Sequence, residues 1–274
     1  MPYEVEVFLT KILPASVGSG LVLFGLWRWR LATWPAAVAI TVGFVVGRVL
    51  TTKSAPELWP VDSTQLVVHF ALLALLVQLS GIGCKIPKAA WIAARVVVAL
   101  AVPYLLLRTL AQPPWESTLE QVLWFGALGG ALFVSWSALE WRGTRLTGPA
   151  IPVALIVAAT GGSIALVQAH AAGLGQTAAL VAGVVGPVAL MGFLSPDSKA
   201  GGGAASVAGL LLPVLWLAGH FFGDELPVAS VLLLTAAPLL SLRNWWLSGL
   251  LAAVPTAAAV WLAVQANPPS PYGY

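Results

Sequence analysis

The chain has 274 residues, of which 59% are hydrophobic and only 8% are charged, against about 25% charged in ordinary soluble domains. Mean hydropathy is +0.92. These values exclude a soluble enzyme domain, a disordered chain and a nucleic-acid binder. The small net charge of +3 reads as loop charge that sets membrane topology, not as attraction to an anionic partner.

A bilayer-crossing helix takes about 20 mostly apolar residues. In chain order, the apolar runs between charged, Gly and Pro clusters predict spans at 8–27, 34–52, 63–83, 90–110, 119–139, 149–170, 175–194, 204–222, 227–242 and 245–265. The fold expected is all-α: a polytopic membrane bundle of about ten helices, eight at the fewest, in a single domain with no soluble part. The acidic start, with Glu4 and Glu6 ahead of Lys11, does not read as a cleavable signal peptide. Pro35, Pro149 and Pro227 suit a first helical turn, and Asp62-Ser63 suits an N-cap. The ninth run is short and contains Pro238, so it is expected to be tilted or re-entrant.

Charge tests this division independently. Odd-numbered loops and their helix ends hold Arg28, Arg30, Lys85, Lys88, Arg95, Arg142, Arg145, Lys199 and Arg243. The N-terminal tail and even loops hold Lys11, Arg48, Lys53 and Arg108, with Glu4, Glu6, Glu57, Asp62, Glu116, Glu120, Asp224 and Glu225. Basic residues favour the cytoplasmic side. The short loops near 28–33, 84–89, 140–148, 195–203 and 243–244 are therefore expected in the cytoplasm, with both termini outside a plasma or inner membrane. Asp197-Ser198-Lys199 followed by Gly201-Gly202-Gly203 reads as a flexible loop. The single cysteine, Cys84, allows no intrachain disulfide.

Three signals bear on function. Gly43-x-x-x-Gly47 and Gly126-x-x-x-Gly130 place bare stripes on helix faces, for packing within the subunit or against a second copy or a membrane-complex partner. Proline lies inside several spans, and Gly186-Pro187 in the seventh is the candidate for a helix break of the kind transporters use. Among polar residues inside the apolar runs, His69, His170 and His220 all fall in the predicted outer half, with Asp224 four residues after His220. Imidazole with carboxylate suits a divalent cation, so these four form a candidate metal site. Arg95, about five residues into the fourth span, either snorkels to the headgroups or pairs with Glu140.

No sequence pattern for a nucleophile, zinc protease, phosphate loop or dinucleotide site occurs, and no cofactor is required. The sequence thus points first to a small-solute or ion permease. A non-catalytic subunit or assembly factor of a membrane complex is the alternative, and an intramembrane enzyme acting on lipid-type substrates the third reading. The bilayer is the one partner the composition requires.

Overall fold

The structure is a computed structural model that describes residues 8–29, 31–53, 65–83, 87–108, 110, 115–223 and 226–268. All regular structure among these residues is helical. Ten α-helices occur there: α1 (Leu13–Gly25), α2 (Trp34–Thr52), α3 (Leu66–Gly83), α4 (Lys88–Leu107), α5 (Thr118–Arg145), α6 (Ala150–Gln168), α7 (Ala172–Leu194), α8 (Ala200–Phe222), α9 (Val228–Ala236) and α10 (Trp245–Ala266). A π-helical turn at Phe8–Ile12 leads into α1, and a 3₁₀ turn at Ala237–Leu240 extends α9. Seven helices, α2, α4 to α8 and α10, are long and apolar enough to cross a membrane. The exterior agrees, because large apolar side chains such as Leu21, Phe24, Leu119 and Val254 point outward from the bundle. This is the surface of a protein solvated by lipid.

Local chemistry explains the helix ends. α2 opens with Pro35 in its first turn, where the missing N–H would have had no partner. α5 starts at an N-cap: Ser117 Oγ accepts from the Glu120 N–H at 3.2 Å, and Glu120 Oε2 accepts from the Glu116 N–H at 2.7 Å. This is a variant of the capping box. α6 ends in a Schellman turn. The Ala171 N–H donates to Leu166 O and the His170 N–H to Val167 O, with His170 itself left-handed at φ 53°.

α8 is the axis of the bundle. It packs against α2, α3, α4, α5, α6, α7 and α9, and nearly all of its residues are buried. The other helices run around it as a circuit: α1 against α2, then α3, α4 and α5 on one side, and α7, α6, α10 and α9 on the other. The circuit opens between α5 and α9.

The connections also sort by end. Gly148 N–H donates to Ser198 O at 2.9 Å, Arg142 Nη1 to Ser241 O at 2.6 Å, and Gln78 Nε2 to Thr33 Oγ1 at 2.8 Å. The first, fifth, seventh and ninth connections therefore meet at one end, called here the basic end.

Three expectations need correction. Gly201, Gly202 and Gly203 are not a flexible loop but the buried first turn of α8, so the loop expected at 195–203 shrinks to 195–199. A Cβ on Gly203 would run into the Thr33 carbonyl oxygen and lie 2.8 Å from Ala37 N. One on Gly143 would lie 2.8 Å from Gly201 O. The glycines are there because backbones touch, which in lipid is a main source of helix cohesion. The fifth span does not stop at 139: α5 continues to Arg145, and the loop at 140–148 shortens accordingly. Charge marked Glu140 as a boundary, yet its carboxylate is held inside the bundle by Arg95.

Finally, α7 runs unbroken through Gly186-Pro187. Interior proline removes the bond to the i−4 carbonyl, that of Gly183, without interrupting the helix. One residue further on, Ser19 of α1 donates its hydroxyl to Val184 O at 3.0 Å and ties α7 to α1.

Candidate functional site

The opening in the circuit is a groove. α5 forms one wall, α9 the other, and the second half of α8 the floor. Its volume is about 180 Å³. Trp124, Leu128 and Leu132 line the α5 wall, Pro213 and Leu217 the floor, and Val231 and Leu232 the α9 wall. Ser135 and Thr235 face each other across the deeper part. Their hydroxyls are spent inside their own helices: Ser135 Oγ donates to Leu132 O at 3.1 Å and Thr235 Oγ1 to Val231 O at 2.7 Å. The groove therefore presents hydrocarbon along most of its length. Beyond Pro213 it narrows to a recess of about 10 Å³, at the limit for holding a single water.

Aromatic rings stand at the groove's mouth, away from the basic end. The Phe221 ring is 4.8 Å from the His220 ring and 6.3 Å from that of Trp124, both edge-on. His220 Nδ1 lies 2.7 Å from Leu226 O.

The basic end is built differently. Arg95 of α4 and Glu140 of α5 form an ion pair whose side chains are 3% and 10% exposed. Of the two alternatives for Arg95, pairing holds and snorkelling does not. The guanidinium lies between two indoles, 4.2 Å from the Trp136 ring and 4.7 Å from the Trp91 ring, a favourable arrangement for a desolvated cation. A polar chain runs beside it: Ser206 Oγ donates to Gln78 Oε1 at 2.7 Å, Gln78 to Thr33, and Trp136 Nε1 to Ser206 O at 2.7 Å. Arg95 Nε and Nη2 have no hydrogen-bond partner among the described residues.

The histidines do not assemble. Among the described residues no three His, Cys, Asp or Glu side chains come close enough to hold a metal ion. His220 is at the groove mouth. His170 is the left-handed residue of the α6 turn and borders a different pocket, of about 250 Å³, with Arg48 and Thr177. Arg48 Nη1 donates to Thr177 Oγ1 there at 2.9 Å. His69 lies on α3, its Nδ1 buried without a hydrogen-bond partner among the described residues. Asp224 lies outside the described residues. The three histidines shared a predicted depth, but depth says nothing about position around the circuit.

The glycine stripes part company as well. Gly43 and Gly47 sit where α2 crosses α1 and α7: a Cβ on Gly43 would lie 2.8 Å from Ser19 Cβ, and one on Gly47 2.9 Å from Ala15 Cβ. Gly126 and Gly130 have open space beside them. The groove itself escaped sequence reading. Its one local trace is Pro213 in the floor, which looks like any other membrane-helix proline.

No protein-family pattern, characterised protein or solved structure shows significant similarity to the chain.

Proposed function

We propose that this is a multi-pass protein of the cell membrane that takes a lipid-type molecule from the bilayer into the groove between α5 and α9 and carries it, as a permease for an apolar cargo. One observation carries the reading: the circuit around α8 opens sideways into a chain-sized apolar groove. A cargo of small hydrophilic solutes or ions calls for a polar-lined path, and the groove offers hydrocarbon.

Ten crossings with both termini outside fit the same reading. The ninth segment is the shortest. Nine α-helical and four 3₁₀ residues give about 21 Å. A segment shorter than a core of about 30 Å is accommodated by local thinning of the bilayer. The basic end then faces the cytoplasm, and the mouth of the groove opens in the outer leaflet.

The test is transfer of a fluorescent single-chain lipid between leaflets of reconstituted vesicles. The intact protein should accelerate it. Ala131→Trp, which fills the groove from α5, should abolish the acceleration while leaving the unfolding temperature within a few degrees of the parent. Equal rates in empty and protein-containing vesicles would overturn the carrier reading.

A second reading, a subunit of a membrane complex, is favoured by the outer face of α5. There Gly126 and Gly130 lie bare, and Val122 and Val134 are exposed. Crosslinking from Gly130→Cys to a partner in native membranes would favour it over the carrier.

A further inference from the structure

The groove is apolar along its length but not at its mouth, and the polar group there is chemically one-sided. His220 Nδ1 lies 2.7 Å from the main-chain oxygen of Leu226. A carbonyl oxygen only accepts, so Nδ1 carries the proton and donates. In a neutral imidazole the other nitrogen, Nε2, is then an acceptor. Leu226 lies two residues before the first residue of α9, so the backbone that leads into the groove wall also fixes the tautomer. Beside His220 stand the rings of Phe221 and Trp124, and an indole such as that of Trp124 is the amphipathic group that headgroup-level sites use.

We propose that the groove's mouth is a head-group site for a single-chain lipid alcohol, whose hydroxyl donates to His220 Nε2 while its chain lies along α8 toward Ser135. This assignment rests on the reading of the groove as a lipid site. The argument is one of discrimination. Every apolar chain in the bilayer fits the groove about equally well, so selection has to come from the head. A phosphodiester or carboxylate presents only acceptors, which face an acceptor at Nε2 and leave it unpaired. A hydroxyl supplies the missing donor. A chain seated in the groove covers the half-buried His220 ring, and an acceptor covered without a donor is the costly alternative; sites built around one hydrogen bond reject analogues that lack it. Ser135 and Thr235 donate within their own helices and keep only acceptor capacity, but they lie at the deep end of the groove, away from the mouth where the head group sits.

The test uses the full-length protein in phosphatidylcholine nanodiscs, a lipid whose head has no donor. A hexadecanol with a photoreactive diazirine in mid-chain is crosslinked, and the labelled residues are located by mass spectrometry. Unlabelled hexadecanol, its methyl ether and palmitic acid serve as competitors. Label should fall on groove residues of α5 and α9, and the alcohol should compete about tenfold better than the ether or the acid. His220→Ala should erase the alcohol-to-ether ratio. His220→Gln, whose amide oxygen still accepts, should keep part of it. The ratio is the readout because a merely loosened groove would weaken both competitors alike. Labelling of the groove with equal competition by alcohol and ether overturns the head-group assignment alone, as does preference for the acid or a ratio untouched in His220→Ala. Absence of label from the groove overturns the lipid site itself.

Discussion

The two halves of α8 show how one helix serves opposite purposes. From Ala200 to Gly209 it is built of small residues, and α2 and α5 press against its backbone. From Pro213 to Phe222 it carries large side chains and a proline, and α5 stands away from α9 to leave a groove. Close approach excludes everything between helices; bulky side chains with a gap beside them admit a ligand. The first half also sits beside the buried ion pair and its polar chain, whereas the second carries His220 at the rim and a buried Trp216 indole nitrogen with no hydrogen-bond partner among the described residues.

Substitutions can break this contrast, and the largest effect is expected at the tight half. Gly203→Leu puts a side chain into the Thr33 and Ala37 backbone. Overpacking that cannot be relieved by a flexible neighbour exceeds about 3 kcal/mol, so little folded protein should survive in a detergent extraction assay. Next comes the ion pair. Arg95→Met or Glu140→Leu alone strands a buried charge and should cost about 3–5 kcal/mol in thermal unfolding, while the double variant should recover most of it. An additive double variant would show that the pair does not act as a unit.

Smaller effects sharpen the comparison. Ser206→Ala leaves Gln78 Oε1 without its donor and should lower stability by about 1–2 kcal/mol, measurable as a shift in unfolding temperature. Ser19→Ala, which removes the side-chain bond from α1 to Val184 O of α7, should cost about 1 kcal/mol. At the bottom of the scale, Gly126→Ala and Gly130→Ala should change monomer stability by no more than about 0.5 kcal/mol. Gly43→Ala, in a stripe of the same pattern, should cost clearly more, because Ser19 and Val184 lie within about 3 Å of the new methyl.

Helix placement was largely legible. Apolar runs, first-turn prolines and charged interruptions mark segments along the chain, and those are local properties. The sequence has ten apolar runs; ten α-helices occur among the described residues, and seven of them are long and apolar enough to cross a membrane. Errors came where a local signal had a tertiary cause. Three successive glycines resemble a flexible loop until Thr33 and Gly143 are seen against them. A glutamate resembles a helix boundary until an arginine from the preceding helix meets it inside the bundle. The candidate site was less legible still. His220 was singled out, but with His69 and His170 as imagined partners, and the structure gives it aromatic rings and a backbone carbonyl instead.

By itself, then, the sequence determined solvent, secondary structure and the sorting of charge between loops, because each follows from the transfer free energy and spacing of neighbouring residues. Which helix became the axis, which glycines meet a backbone and where the circuit stays open were decided only by tertiary packing. Those outcomes depend on which faces of distant segments come together. In lipid, where no hydrophobic force distinguishes one apolar face from another, shape and a few buried polar contacts make that choice.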